Sequence, residues 1–328
     1  LAGVRVSETI ETAEQLHAFQ GEKLLFAVPL GVSGVNLEYY RMLQLLRMET
    51  GLFQSCMGAL LVDGLTELYT KSVARELVFA ANTAGCAFIG RPLVEGTISL
   101  ANFQTIAGLN DVDHYGAYLL TAKETVARLL AAEPPPANSR RLLVLHASSR
   151  HTSNTFALWG LVKEGLPGWE ITEIGLRNGE ISDCSGCPYS MCLHFGDRGG
   201  CFYGGVITKE VYPAVLACDR LLLLCPNYND ALSANISAFI NRLTALTRTR
   251  RFYEKSLYAL IVSGYSGSDI IAGQLIAGLN MNKSFYLPPR FAMLETANDP
   301  GAILKLEGIE DRARAFARRL ANVSGEET

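Results

Sequence analysis

The sequence contains no apolar run that approaches the roughly 20 residues needed to span a bilayer. Its first 22 residues are mixed and polar, without the apolar core of a signal peptide. Positive charge is not in excess, since 29 Lys and Arg stand against 32 Asp and Glu and the formal net charge is −3. Without clustered positive charge we expect neither a nucleic-acid partner nor an anionic membrane. These absences favour a cytoplasmic protein that acts on a small molecule.

Two common phosphate-binding patterns are also missing, Gly-x-Gly-x-x-Gly and the Walker-type loop. Their absence argues against a separate Rossmann site for a bound dinucleotide.

The chain has 328 residues and is 49% hydrophobic, which is enough to bury a core in each of two domains. A break follows Glu133, because the consecutive prolines Pro134, Pro135 and Pro136 forbid helix continuation and stiffen the chain. We therefore predict domains over residues 1–133 and 140–328.

After this break, short apolar runs alternate with segments of helical character. The runs lie at 141–147, 169–176, 220–225, 256–263 and 284–287. Strands that alternate with helices predict an α/β fold with a doubly wound parallel sheet. In such sheets ligands bind beyond the carboxyl ends of the strands. We therefore expect the loops that follow Leu145, Leu224 and Val262 to form the site.

The first of these loops runs from Ala147 to Thr155 and joins a buried strand to a helix. Backbone amides and hydroxyl groups converge there at the positive end of the helix dipole, an arrangement that binds phosphate. An ordinary helix start also favours Ser, Thr and Asn. The donors here exceed what capping needs, and an arginine suits a phosphate monoester. The predicted phosphate ligands are Ser148, Arg150, Ser153, Asn154 and Thr155.

The same loop resembles the Gly-Ser-Pro-Arg-x-x-Gly-Asn-Thr loop of the NADPH-dependent FMN reductase family. Ser148, Arg150, Asn154 and Thr155 occupy matching positions, whereas Ala147, Ser149 and Ser153 replace the first Gly, the Pro and the second Gly. Further on, residues 225–234 resemble the Ser-Pro-x-Tyr loop of the family, which wraps the flavin ring. The helix that follows resembles the Lys-x-Phe-x-Asp-Arg ending of the family, with Phe239, Asn241 and Arg242 at the matching positions. The resemblance covers about half of the chain.

Two loops are predicted to frame the flavin ring. An isoalloxazine needs a flat apolar surface and main-chain donors, and a Pro-x-Tyr-Asn turn provides both, although the same residues are common in surface turns. In the loop after Val262, glycines let the backbone approach a ligand closely. The predicted ring-binding residues are Pro226, Asn227, Tyr228, Asn229, Asp230, Ser263, Gly264 and Tyr265.

The resemblance implies a flavodoxin-like fold, FMN as cofactor, a homo-oligomer, and NAD(P)H as a substrate that stacks on the flavin transiently. Electrons then leave to a small acceptor such as a quinone, azo or nitro compound, free flavin or metal ion. Because the cofactor carries the chemistry, no side-chain acid or base is demanded and no catalytic residue is predicted. Two alternatives remain open: an iron-sulfur flavoprotein that passes electrons to a protein partner, and a non-redox module that has lost FMN.

Four of the eight cysteines are concentrated at Cys184, Cys187, Cys192 and Cys201. Four thiolates can ligate a four-iron cluster or a zinc ion, and some relatives of the family bind an iron-sulfur cluster through a compact set of four cysteines. The relatives have Cys-x2-Cys-x2-Cys here, whereas this sequence has four residues between Cys187 and Cys192. A cluster, a zinc ion with His194 as a further candidate ligand, a disulfide, and free thiols all remain possible interpretations.

The N-terminal half repeats the same opening of strand, loop and helix. Lys23–Val28 and Gly58–Val62 are predicted strands, and Asn36–Met48 and Glu67–Ala84 are predicted helices. This pattern is consistent with a diverged flavodoxin-like copy of the second half. Its first loop places Leu30, Gly31 and Val32 where the phosphate loop has Ser148, Ser149 and Arg150. Such a copy is expected to have lost FMN.

Overall fold

The computed structural model describes residues 11–136, 140–148 and 152–321, and the chain divides into two compact units. The first unit is Leu1–Glu133 with Leu287–Arg290, and the second is Pro134–Tyr286 with Phe291–Thr328. The chain passes from the first unit to the second at the start of the predicted proline break. Within the described residues, no helix is both long and apolar enough to cross a membrane.

The first unit contains one parallel sheet with helices packed on it. Its elements are α1 (Ala13–His17), β1 (Lys23–Pro29), α2 (Leu37–Met48), β2 (Met57–Asp63), α3 (Thr70–Thr83), β3 (Ala87–Gly96), α4 (Gln104–Asn110) and α5 (His114–Ala131). The sheet order is β1-β2-β3, and both pairs are parallel. Val94 of β3 packs with Phe103, Ala107 and Ala117, which joins α4 and α5 to the sheet. A second parallel α/β domain is therefore confirmed.

The second unit is built on a five-stranded parallel sheet. Its elements are β4 (Arg141–His146), α6 (Asn154–Glu164), β5 (Glu170–Gly175), α7 (Tyr189–Asp197), α8 (Tyr212–Ala217), β6 (Arg220–Pro226), α9 (Ala234–Arg242), α10 (Thr244–Thr247), β7 (Ser256–Ser263), α11 (Ser268–Leu275), β8 (Ala292–Thr296) and α12 (Ile309–Ala321). The sheet order is β5-β4-β6-β7-β8. Counted along the chain, this is the flavodoxin-like order 2-1-3-4-5. The predicted fold class is confirmed.

Helices cover both faces of this sheet, which explains the uninterrupted apolar character of its strands. All eight residues of β7 are buried, as expected for a central parallel strand that is covered on both sides. On one face, Trp159 of α6 and Phe316 of α12 pack into the same core as Tyr258 of β7. This packing fixes the start of α6 against the sheet, at the edge where the predicted phosphate loop ends.

The fifth strand was predicted in the wrong place. Residues 284–287 form only isolated bridges, Ser256 with Tyr286 and Phe88 with Leu287, and the outer strand is β8, which pairs in parallel with β7. Two prolines follow Leu287 directly. Because proline has no N–H to donate, the chain cannot extend a ladder through them. The paired strand begins only beyond them, at Ala292.

The strand order of the first unit matches part of the second sheet. The sequence β1-β2-β3 corresponds to the adjacent strands β4-β6-β7, and no described strand pairs with the outer side of β1, where β5 would lie. This correspondence is what loss of both edge strands, the counterparts of β5 and β8, from a flavodoxin-like order would leave. That the first unit is a diverged copy remains a prediction.

Candidate functional site

The carboxyl ends of four neighbouring strands bring four loops to one edge of the second sheet. These loops are residues 147–153 after β4, 227–233 after β6, 264–267 after β7 and 297–301 after β8. Three of them are the loops that the sequence predicted. The fourth was missed because its strand was misplaced, although the turn-forming residues Asn298, Asp299, Pro300 and Gly301 mark it in the sequence.

The first loop and the first turn of α6 present two buried hydroxyl groups with no hydrogen-bond partner in the described part of the chain, Ser148 Oγ and Thr155 Oγ1. A buried hydroxyl without a partner costs free energy. Ser153 caps α6, its Oγ accepting a hydrogen bond from the Phe156 amide at 3.2 Å, and the first amides of a helix have no partner within it. An anion with several oxygen acceptors fits this donor set. Arg150 lies outside the described residues.

Asn154 has a different role from the one predicted for its side chain. Its Nδ2 donates to the Ala297 carbonyl at 3.0 Å and to the Asp299 carbonyl at 2.9 Å. The side chain is buried and is committed to the loop after β8. Asn154 therefore ties the start of α6 to the fourth loop.

Replacing Asn154 with alanine is expected to lower the free energy of unfolding by about 3 kcal/mol, because the carbonyls of Ala297 and Asp299 lose their donor. Urea denaturation followed by circular dichroism measures the change. Asn282→Ala is the matched control, since Asn282 donates an exposed bond to the Ala277 carbonyl. Equal losses in the two variants would contradict the assigned role.

The loop after β6 forms a tight turn. Asn229 and Asp230 both have positive φ, at 53° and 58°, and Tyr228 and Ala231 exchange backbone hydrogen bonds across them. Two successive left-handed residues define a type I′ turn, for which Asn and Asp are suited. Tyr228 is thereby half-exposed at the loop tip.

Tyr265, in the loop after β7, is 81% exposed. The Asn298 side-chain amide donates to its hydroxyl at 3.4 Å. Cβ of any residue larger than glycine at position 264 would lie 2.9 Å from Asn298 Oδ1, so Gly264 permits this close approach. Tyr228 and Tyr265 each present an aromatic ring to solvent on loops at the same edge of the sheet.

The four clustered cysteines lie in an insertion between β5 and α8. Cys184 is exposed and the other three are partly buried. Burial is the main cause that raises the pKa of the Tyr212 hydroxyl, the nearby Cys201 raises it further, and Arg242 lowers it. In the described residues, however, no three His, Cys, Asp or Glu side chains are grouped closely enough to hold a metal ion. Metal binding by Cys184, Cys187, Cys192 and Cys201 stays a prediction.

The end of α9 is bonded to this insertion on both sides of the four cysteines. Arg242 is buried, and its guanidinium donates to the Ser182 carbonyl at 3.3 Å and to the Gly204 carbonyl at 2.6 Å. The neighbouring Asn241 donates to Asp183 at 3.0 Å. The sequence marked Asn241 and Arg242 only as part of a helix ending, and the structure gives them this anchoring role.

Comparison with protein families decides the affiliation of the second unit. Residues 140–299 match the family described as NADPH-dependent FMN reductase. These residues belong to that family. The chain therefore carries an FMN reductase-like oxidoreductase domain, and the predicted resemblance is confirmed. No curated protein matches the chain.

Several solved structures resemble the FMN reductase domain distantly. An NAD(P)H:quinone oxidoreductase from Methanothermobacter marburgensis is 15% identical, with a TM-score of 0.44, over 57% of this chain and 100% of that one. A WrbA-like flavodoxin from Agrobacterium tumefaciens is 16% identical, with a TM-score of 0.37, over 56% and 94%. An FMN-dependent NADH-azoreductase from Bacillus anthracis, solved with FMN, is 12% identical, with a TM-score of 0.35, over 55% and 99%. The strand order and the family match, rather than these likenesses, establish the fold.

Proposed function

We propose that this chain is an FMN-binding oxidoreductase that transfers hydride from NAD(P)H to its cofactor and passes the electrons to a small acceptor. The observation that carries the proposal is a pair of buried hydroxyls, Ser148 Oγ and Thr155 Oγ1, that have no hydrogen-bond partner among the described residues. They lie in the loop that matches the phosphate loop of the family, at the positive end of α6. A bound phosphate monoester would give both hydroxyls the acceptors they lack.

The cofactor would be held by two groups of residues. Ser148, Ser153, Thr155 and the first amides of α6 would hold the phosphate, with Arg150 as the balancing charge. Residues 226–230 and 263–265 would frame the ring. Bound FMN supplies the hydride-accepting chemistry, and the protein binds and orients it. Because Tyr228 and Tyr265 are exposed, these loops leave room for NAD(P)H or a small acceptor to stack.

The visible absorption spectrum of protein purified without oxygen tests this proposal. We expect flavin absorption bands at about 375 and 450 nm that bleach on addition of NADPH, and no iron in the purified protein. A broad extra shoulder together with iron would instead favour electron transfer through a cluster bound by Cys184, Cys187, Cys192 and Cys201. Protein that stays colourless after incubation with FMN would refute both. A cytoplasmic location and a homo-oligomeric state remain predictions.

A further inference from the structure

One side chain joins the two loops that would frame the flavin. Asn227 Nδ2 donates to Ser263 Oγ at the end of β7, at 3.1 Å, and to the Ser266 carbonyl in the loop after β7, at 2.9 Å. The same nitrogen lies 3.3 Å from Asp230 Oδ1, on its own loop. The Asn227 backbone amide adds a bond to the Val262 carbonyl. Residue 227 is thus bonded to both loops at once.

The acceptor end of the Asn227 amide fixes the type I′ turn. Its Oδ1 accepts a hydrogen bond from the Asp230 backbone amide at 2.8 Å. On the other side of the turn, Gln274 accepts from the Leu232 amide at 2.9 Å and donates to the Asp230 carbonyl at 3.2 Å. The left-handed conformation of Asp230 is therefore held from two directions. Only a side chain with a donor and an acceptor on one planar group can make the contacts of Asn227.

The approach of the two loops is close enough to require glycine at position 267. Gly267 has φ +86°, and a Cβ there would lie 2.3 Å from Asp230 Oδ1 and 2.8 Å from Asn227 Nδ2. Ser263 Oγ also lies 2.7 Å from Ser268 Oγ. The loops are therefore packed directly on one another around the Asn227 amide, and a change in this amide alters the spacing of both.

We propose that Asn227 is a positioning residue, which sets the spacing of the Tyr228 and Tyr265 loops and so the affinity for FMN, without a contact of its own with the cofactor. The inference rests on the proposed function. Its side-chain amide is occupied by four protein partners, Asp230 Oδ1, the Asp230 amide, Ser263 Oγ and the Ser266 carbonyl. Both hydrogens of Nδ2 are therefore committed to protein acceptors, and Oδ1 already accepts one protein hydrogen bond.

Asn227→Asp tests the idea because it keeps the shape and removes the donor. At pH 7.5 an ionised carboxylate would face Asp230 Oδ1 and the Ser266 carbonyl, which are both acceptors. We expect FMN affinity, measured by quenching of flavin fluorescence, to fall by about 10- to 100-fold. Two carboxylates this close raise one pKa, so a shared proton should restore a donor as the pH is lowered. Affinity relative to the wild type should therefore recover towards pH 5.

A second variant separates the bond between the loops from the contact within one loop. In Asn227→Asp with Asp230→Asn, residue 230 can donate to residue 227 and no like charges meet, but the Ser266 carbonyl still lacks its donor. We expect FMN affinity to stay about 10-fold or more below the wild type at pH 7.5, because the bond that joins the loops is not restored. Asn282→Asp is the control, since it removes an exposed donor of the same kind away from these loops, and it should bind FMN normally.

The outcomes distinguish this inference from the proposed function. If the wild type does not bind FMN, the proposed function is wrong. If the wild type binds FMN and Asn227→Asp binds it equally well at pH 7.5, only the positioning role is wrong. A double variant that binds FMN within about threefold of the wild type would also overturn it, because the contact within one loop, and not the bond between the loops, would then account for the affinity.

Discussion

The double variant Ser148→Ala with Thr155→Val is expected to lose FMN affinity by at least about 100-fold, while the apoprotein becomes no less stable. Both hydroxyls are buried and have no partner in the described structure, so removing them removes an unpaid desolvation cost. Hydrogen bonds to a charged group contribute about 1.5–3 kcal/mol each. Two such bonds to the phosphate account for a loss of this size.

Two measurements check this expectation. FMN affinity is obtained by fluorescence titration of the apoprotein, and stability by urea denaturation in the absence of FMN. Thr247→Val is the control, because the Thr247 hydroxyl donates to the Thr244 carbonyl at 3.2 Å. That variant should lose stability and bind FMN normally. If the double variant instead kept wild-type affinity, these hydroxyls would not form the phosphate site.

Arg242→Met is expected to release the cysteine insertion and to lower the free energy of unfolding by about 2–4 kcal/mol. The buried guanidinium is the donor for the carbonyls of Ser182 and Gly204, and a hydrogen bond to a charged group contributes about 1.5–3 kcal/mol. Methionine fills a similar volume without donating. Asn241 would still bond to the insertion, but the two hydrogen bonds on either side of the four cysteines would be lost.

Thiol reactivity reports this release directly. Cys56, Cys86, Cys218 and Cys225 are buried, and burial raises the pKa of each, to about 11 for Cys218. Because the thiolate is the reactive form, these four should react slowly with a disulfide reagent in every folded variant. Arg242→Met should accelerate only the thiols in the insertion. Arg250→Met, at an exposed position, should change neither rate nor stability, and equal rates in all three proteins would contradict the anchoring role.

Three of the four loops of the candidate site were predictable from local sequence, because each loop follows its strand directly. The apolar runs of β4, β6 and β7 end where turn residues begin, and parallel strands bring those ends to one edge. The prediction of a strand at 284–287 was wrong because these apolar residues are buried but form only isolated bridges and no continuous strand pairing. Burial and strand pairing give the same local pattern of apolar residues, so periodicity alone cannot separate them.

The sequence by itself determined the fold class and the family match of residues 140–299, because these depend on short motifs and on hydrophobic alternation. It also predicted the positions of the phosphate and ring loops. The tertiary structure decided what each polar side chain does. It committed Asn154 to the loop after β8 and Asn227 to the loop after β7, and within the described residues it left the Ser148 and Thr155 hydroxyls without partners. Hydrogen-bond partners far apart in sequence are set by the packing of whole elements, which no local pattern records.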